Sequence, residues 1–578
     1  MSGSVIVIGG GVAGMSAAHE LAERGFRVRV FERQGLPGGK ARSVAVAGTG
    51  TGGRPDLPGE HGFRFFPRFY RHVTDTMQRI PVGGGRTAFD NLVQASREEL
   101  AAVGKRPFVM PAWFPRSLAD LELMVRDHAQ MREFGVPADD MAFFAQRLWQ
   151  LMTSCPERTA AEYERVSWWQ YMDADRRSAP FRTYFVEGLT RNLVAATPKT
   201  ASTQVGGEVL TELIYATTRP GTSDDRLLNA PTNDAWLTPW LAHLRTTLGV
   251  AYHLDAEVLG LEFDSTRITG VTVRRDGADT IERADWYVAA VPVERMDRLL
   301  TNAMIAADEV LAGIRTLAGD VQWMNGIQFY LAEPVPVANG HVTYMGTPWA
   351  LTSISQAQFW ASVDLARYGD GTVRDILSVD ISDWDTPGLL EWPDGERGLR
   401  RKPASECTKE QIAAEVWAQL QQSLNVDGTV TLPDAFRRGW YMDGDITRAH
   451  GRDADAEPLL VNHPGRWSLR PDAHTGIPNL FLAADYVRTN TNLATMEAAN
   501  EAARRAVNGI IDASGARAPT CGIWKLYQPW VLAPLRWHDR RRFDQGLPWD
   551  PRPPLIVRLV HFVVHALARL AAFLGIRR

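Results

Sequence analysis

The alternation of apolar and polar positions begins with Ser4 to Ile8, a short run rich in β-branched apolar residues that leads into glycines. Ala13 to Arg24 then carries helix formers, and Arg27 to Phe31 alternates like a half-buried strand, so the opening predicts a βαβ unit. From about Gly83 to Thr218 the pattern reads as helical. Within it, PADDMAFFAQRLWQLM sets Met141, Phe144, Leu148 and Met152 on one face, read as core packing with a substrate-tunnel wall as the alternative. Strand character returns at Ala256 to Phe263, Gly270 to Arg274 and Asp285 to Ala290, where the first domain resumes. A mixed stretch from about 311 to 439 holds the strand-like VQWMNGIQFYLA and ILSVDIS and a helix near Lys409 to Leu424, a second visit to the other domain. Asn479 to Asp485 is an apolar strand, and a helix follows from about Ala494 to Ile511. No internal repeat interrupts this order.

The chain of 578 residues is long enough for two or three packed units. With 45% hydrophobic and 22% charged residues it has an ordinary globular composition, which excludes disordered, collagen-like and polytopic membrane classes. A net charge of -4 gives no reason to expect nucleic acid as a partner. The three cysteines, Cys155, Cys407 and Cys521, form neither a disulfide framework nor a zinc spacing, which fits a reducing cytosol. The first residues run directly into a strand, so no secretory signal is expected.

The last 58 residues differ from the rest. From Cys521 onward ten Lys/Arg stand against three Asp/Glu, a net +7, with Trp524, Tyr527, Trp530, Trp537 and Trp549 interleaved. On a helix the segment after WDPRPP gathers Arg558, His561, His565 and Arg569 into one narrow polar row and leaves the remaining circumference apolar. About 22 such residues reach roughly 33 Å, but two arginines in mid-segment make spanning a bilayer expensive, and lying in the membrane interface is cheaper. A helix docked on the protein or on a second subunit is the alternative. The expectation is a cytoplasmic protein, peripheral on the inner face of the membrane through residues 553–578, with homo-oligomerisation left open.

Gly9, Gly11 and Gly14 form GxGxxG between strand and helix, where a tight turn directs backbone N–H groups and the positive helix terminus at a pyrophosphate. Glu32 ends the second strand, where a carboxylate accepts ribose hydroxyls and repels a 2′-phosphate. Together they predict dinucleotide binding. Three further features favour FAD over NAD. GLPGGKARS supplies a second glycine pair with Lys40 and Arg42, EHGFRFF puts Gly62 where backbone can approach a flat ring, and a strand ends at Asp485 just before a helix near Thr495. Asp485 suits ribityl hydroxyls, and the Thr495–Met496 amides suit negative charge on a reduced flavin.

These residues resemble the flavin amine oxidase and carotenoid (phytoene) desaturase superfamily, including hydroxysqualene dehydroxylase-like proteins, over most of residues 4 to 515. The resemblance implies an α/β fold: a Rossmann-like FAD-binding domain of the glutathione-reductase and amine-oxidase type, a discontinuous α+β substrate domain and a C-terminal amphipathic helix. It divides the chain into FAD-binding parts at 1–82, 235–310 and 440–515, substrate-domain parts at 83–234 (helical) and 311–439, and a basic, aromatic tail at 516–578. By the same resemblance Gly9, Gly11, Gly14, Glu32, Arg33, Gly38, Gly39, Lys40 and Arg42 hold the adenine and diphosphate side. His61, Gly62, Phe63 and Arg64 lie along the flavin ring, Val258 meets the adenine, and Asp485, Thr495 and Met496 match the closing motif. Covalent attachment of the FAD is not expected.

Two departures stand out. Ala484 replaces the glycine usual before the closing acid, and no lysine occurs between Lys199 and Lys402, where amine oxidases commonly place one near flavin N5. No hydrolase, Walker-type or HExxH motif competes, and the acids of DGDITRAH near Asp443 read as a solvated loop rather than a metal site. The expected function is FAD-dependent dehydrogenation of a lipophilic isoprenoid or polyene, with Arg64 and Arg42 as residues that tune flavin charge or, alternatively, hold FAD or backbone. An amine or protoporphyrinogen-type oxidase and a non-catalytic prenyl escort protein of the same fold are the rivals.

Overall fold

The computed structural model describes residues 3–112, 134–188, 197–217, 225–394, 398–444, 446–449, 452–560, 562–563 and 566. Ser4–Ile8 becomes the central strand of a five-stranded parallel sheet. In order, the sheet runs Ala251–His253, Arg27–Phe31, Ser4–Ile8, Trp286–Ala289, Leu480–Leu482, so three distant parts of the chain build it. Val5, Ile6 and Val7 are fully buried because a parallel sheet is covered on both faces. The helices Val12–Glu23 and Met496–Ser514 pack against each other over it. Ala256–Phe263, Ile268–Arg275 and Ala278–Glu282 form a separate three-stranded antiparallel sheet.

The other domain is organised by a seven-stranded sheet. Its order is Arg437–Met442, Asn325–Leu331, Asp375–Ile381, Leu351–Ser355, Val342–Met345, Arg97–Ala102, Phe108–Pro111. Period-two alternation divides its residues between two faces. Ile327, Phe329, Val379 and Ile381 share a buried core with Val416, Trp417 and Leu420 of the helix Lys409–Leu424. The opposite face carries Asp380, Thr352, Thr343 and Leu100, which line a cavity. A one-residue slip of any of these strands would exchange the two sets, so register is tightly specified.

The stretch from Gly83, expected to be helical, opens instead with strands. Arg97–Ala102 and Phe108–Pro111 complete the edge of the large sheet, and the sequence REELAA is held extended by pairing with Val342–Met345. Cross-strand pairing here overrides local helix preference. Helices follow at Ala138–Thr153, Pro156–Ala161 and Thr203–Thr217. The apolar face proposed for the first of these is divided: Phe144 enters a core with Trp168 and Phe181, Met141 lines the cavity, and Met152 packs near Leu535.

The tail wraps back on the protein. Cys521 N–H donates to Asn508 Oδ1 at 2.6 Å and Trp524 N–H to His72 Nε2 at 2.9 Å. Arg71 and Arg504 sit over the Trp524 ring. The helix Ala533–Asp544 docks on Ala138–Thr153 and Pro156–Ala161, where Asp539 pairs with Arg158 at 3.0 Å, both side chains almost wholly buried. Of the interleaved aromatics, Trp549 bonds Thr153 at 3.1 Å, whereas Trp530 and Trp537 are exposed. Within 553–578, residues 555–560 are helical; His561, His565 and Arg569 of the polar row, and everything beyond 566, lie outside the described residues. No helix among the described residues is long and apolar enough to cross a membrane.

Removing one partner of a buried ion pair costs about 3–5 kcal/mol because the other charge stays buried. Asp539→Ala is therefore expected to loosen the tail, accelerating tryptic cleavage between 516 and 552 while leaving the flavin content intact. Unchanged cleavage would contradict the docking described here.

Candidate functional site

The glycine loops meet without side chains between them. Gly9, Gly38 and Gly39 adopt φ of +96°, +106° and +56°, which side-chain-bearing residues rarely adopt. Gly38 N–H donates to Gly10 O at 2.9 Å, and a Cβ on Gly39 would stand 3.1 Å from Gly11 Cα. Gly14 does not line the cavity but allows the helix to approach the strand: a Cβ there would lie 1.9 Å from Gly9 O. The Glu32 carboxylate accepts from Gly10 N at 2.6 Å and Gln34 N at 2.8 Å, with burial raising its pKa against those bonds. Each oxygen retains lone pairs for a ribose hydroxyl.

One cavity of about 1190 Å³ runs from these loops across the large sheet. Gly9, Gly11, Glu32, Arg33, Gly38, Gly39 and Lys40 line it at one end, and Val258, Asp485, Thr495 and Met496 border it from the other parts of the nucleotide-binding domain. His61, Gly62, Phe63 and Arg64 line it where the two domains meet. Thr495 caps the 19-residue helix Met496–Ser514, its Oγ1 accepting from Ala498 N at 3.1 Å, which leaves the positive helix end facing the cavity. Asp485 gives its backbone oxygen to Arg470 at 2.7 Å and keeps its carboxylate at the cavity wall.

Arg42 lies behind the glycine turn rather than on the cavity wall, bonded to Gly39 O and Glu457 Oε2, both at 2.9 Å. Arg64 donates to Gly62 O at 2.8 Å, Phe63 O at 3.1 Å and Lys40 O. Both arginines donate to backbone carbonyls, and Arg64 also lines the cavity. Burial lowers the Arg64 pKa, opposed by the carboxylates of Glu60, Asp380 and Asp443.

Of the DGDITRAH acids, Asp445 lies outside the described residues and Asp443 requires correction. Asp443 is buried directly after the strand Arg437–Met442, with Oδ2 3.1 Å from His61 Nδ1. No cluster that could hold a metal is present among the described residues. The three cysteines are free and buried, their thiols pushed up to about 12 by burial.

Several site residues had no local signal. Glu457 clamps Arg33 and Arg42, each at 2.9 Å, from more than four hundred residues away. Asp380, pushed up to about 7 by burial against the pull of Arg64 and His61, faces Gly62. Glu98 and His341 lie farther along the same floor.

The glycine cradle, the ribose-facing acid, Arg33 and Lys40 on the phosphate side and the helix end opposite fit FAD. They define an FAD-binding oxidoreductase. Comparison with known proteins agrees: an NAD(P)-binding Rossmann-like domain model matches residues 7–80, and the model of the flavin-containing amine oxidoreductases matches residues 240–511. The carotenoid phi-ring synthase of Chlorobaculum tepidum is 25% identical over 295 residues, which are 50% of this chain and 41% of that protein, so the chain spans only about two fifths of its length. Among solved structures, an oxidoreductase from Methanosarcina mazei superposes with a TM-score of 0.56 at 12% identity, covering 88% of this chain and 100% of that one. Putrescine oxidase bound to putrescine gives 0.57 at 13%, covering 89% and 99%. At these identities the two structures speak to fold alone. These matches support the flavin amine oxidase and desaturase superfamily.

Glu32→Arg removes the ribose acceptor and places a cation among Gly10 and Gln34 N–H donors. FAD retention through purification should fall at least tenfold, read as the flavin-to-protein absorbance ratio, and an unchanged ratio would contradict this placement.

Proposed function

We propose that this protein oxidises a lipophilic isoprenoid or polyene, removing hydride from an allylic carbon. The observation carrying this reading is the apolar part of the cavity beyond His61 to Arg64, lined by Phe65, Leu100, Met110, Phe185, Leu213 and Ile214. Such walls orient a hydrocarbon chain by shape and exclude water from the reacting carbon. FAD, when bound, supplies the two-electron acceptor. The residues of the chain hold it: the glycine cradle and Glu32 at the nucleotide end, the Thr495–Met496 helix terminus at the other. Arg64 keeps the floor and the cradle in contact. The absence of lysine between Lys199 and Lys402 and the carotenoid-enzyme relative support the same substrate class.

Oxidation of an amine is the second reading. It is favoured by Asp380, an acid at the cavity wall held near Arg64 and His61, and by the family model's description. Anaerobic bleaching of the bound flavin separates the two. Long polyenes or isoprenoids should bleach it at least tenfold faster than primary or secondary amines, and rapid bleaching by amines with none by isoprenoids would reverse the order.

We also propose peripheral membrane contact through residues 553–578, which would bring the protein to a membrane-dissolved substrate. Leu555, Ile556 and Phe562 are 78%, 71% and 68% exposed, a density of bare apolar side chains that water disfavours. Deleting 553–578 should abolish flotation with anionic liposomes and leave FAD bound, since the cofactor-facing residues end before that segment. Flotation of the full chain should weaken with salt, exposed charges being screened over about 10 Å at 0.1 M. Equal flotation of both proteins would remove the membrane role.

A further inference from the structure

The floor of the cavity carries two polar stations separated by apolar surface. The first is Asp380, linked to the cradle: its carboxylate accepts from Phe63 N–H, the neighbouring Arg64 donates to Lys40 O, and Lys40 follows the glycine turn. Across the sheet from Asp380 the register runs through Thr352 and Thr343 to Leu100. The second station is on those farther strands. Val342 pairs with Glu99 in parallel, and Glu99 N–H donates to His341 O at 2.9 Å, which sets Glu98 and His341 side by side on neighbouring strands. Both line the cavity. At about 4.8 Å per strand spacing they lie two to three spacings from Asp380 and two residues farther along the strand, about 12–16 Å away in all.

His341 is held by aromatic rings: Phe63 meets it edge-on at 5.0 Å and Phe65 at 5.5 Å. Its Nε2 has no hydrogen-bond partner among the described residues. Burial alone pushes Glu98 up to about 7 and His341 down to about 4, with no neighbouring charge contributing to either shift. A carboxylic acid beside a neutral imidazole offers one O–H donor and one nitrogen acceptor with no net charge. A hydroxyl group complements both at once, accepting from Glu98 and donating to His341. An ether or a carbonyl can only accept, and a hydrocarbon leaves both groups unpaired. An ammonium would require a buried, isolated ion pair.

We infer that Glu98 and His341 form a distal anchoring subsite for a hydroxyl group on an otherwise apolar ligand, placing the ligand's far end at a fixed distance from the cofactor end of the cavity. This rests on the lipophilic-substrate reading above but is tested separately from it. Calorimetric titration of the FAD-loaded protein at pH 6 would compare farnesol, its methyl ether and farnesene, together with dodecanol, dodecane and dodecylamine.

The alcohols should bind at least tenfold more tightly than ether or hydrocarbon, about 1.4 kcal/mol. In Glu98→Leu and His341→Phe that difference should vanish. If either variant misfolds, the comparison of alcohol with ether in the unaltered protein decides alone. Equal affinity of alcohol, ether and hydrocarbon overturns the subsite, as does a preference for the alcohol that persists in both variants or tighter binding of dodecylamine than of dodecanol. A hydroxyl preference on the straight chain without any binding of the isoprenoids would keep the subsite and remove the isoprenoid reading. Failure of all probes to bind would remove both.

Discussion

Arg64 is a half-buried cation whose hydrogen bonds go to main-chain oxygens of Gly62, Phe63 and Lys40. A guanidinium cannot be left without acceptors away from water, so those carbonyls are drawn together wherever the side chain goes. Lys40 belongs to the segment beside the glycine turn, and residues 62 and 63 lie against the sheet of the second domain. One side chain therefore ties the segment that lies on the second domain's sheet to the glycine cradle. The carboxylates of Glu60, Asp380 and Asp443 keep it charged against the cost of burial. The relation is mutual, since Arg64 also restrains the rise in the Asp380 pKa that burial produces. Arg42 and Glu457 repeat the arrangement behind the cradle, with Glu457 reaching Arg33 as well.

From that junction the chemistry of the cavity follows from strand alternation. The face of the seven-stranded sheet turned toward Lys409–Leu424 is mainly apolar, and its buried Tyr344 and Ser353 hydroxyls bond each other at 2.8 Å. The other face is free to carry polar groups, and it places acids or an imidazole only at Asp380, Glu98 and His341 among the lining residues named here. Gly326, opposite Asp380 in the ladder, is the complement of this arrangement: a Cβ there would meet Gly62 Cα at 2.7 Å. The absent side chain is what lets residues 61 to 64 lie on the sheet.

The tail connects the two ends of the molecule. Trp524 is seated between Arg71 and Arg504, and its N–H bonds His72, which bonds Glu497 in the first turn of the helix that faces the cavity. Farther on, Arg158 and Asp539 fasten the helix Ala533–Asp544 to the helices Ala138–Thr153 and Pro156–Ala161. The basic residues of this region are thus divided between internal pairing and surface charge, which composition alone does not distinguish.

The βαβ opening, the glycine spacing, Glu32 and the helix Lys409–Leu424 were legible in the sequence because each rests on neighbours within a few turns of chain. Gly9 and Gly39 announce themselves by a backbone that only glycine adopts easily, and Glu32 by its place at a strand end. The strand at Arg97–Ala102 was not legible, since REELAA prefers helix until Val342–Met345 pairs with it. Asp443 reads as a solvated acid in the sequence, and the fold buries it against His61. Glu457, Asp380 and the Glu98–His341 pair likewise carry no local mark: their partners lie tens to hundreds of residues away, and whether a side chain meets cavity or core depends on a register that one residue would invert. The sequence by itself determined the cofactor class, through local backbone geometry. Only the tertiary structure decided which acids face the ligand and which arginines serve the fold, because burial and pairing are made between strands rather than along them.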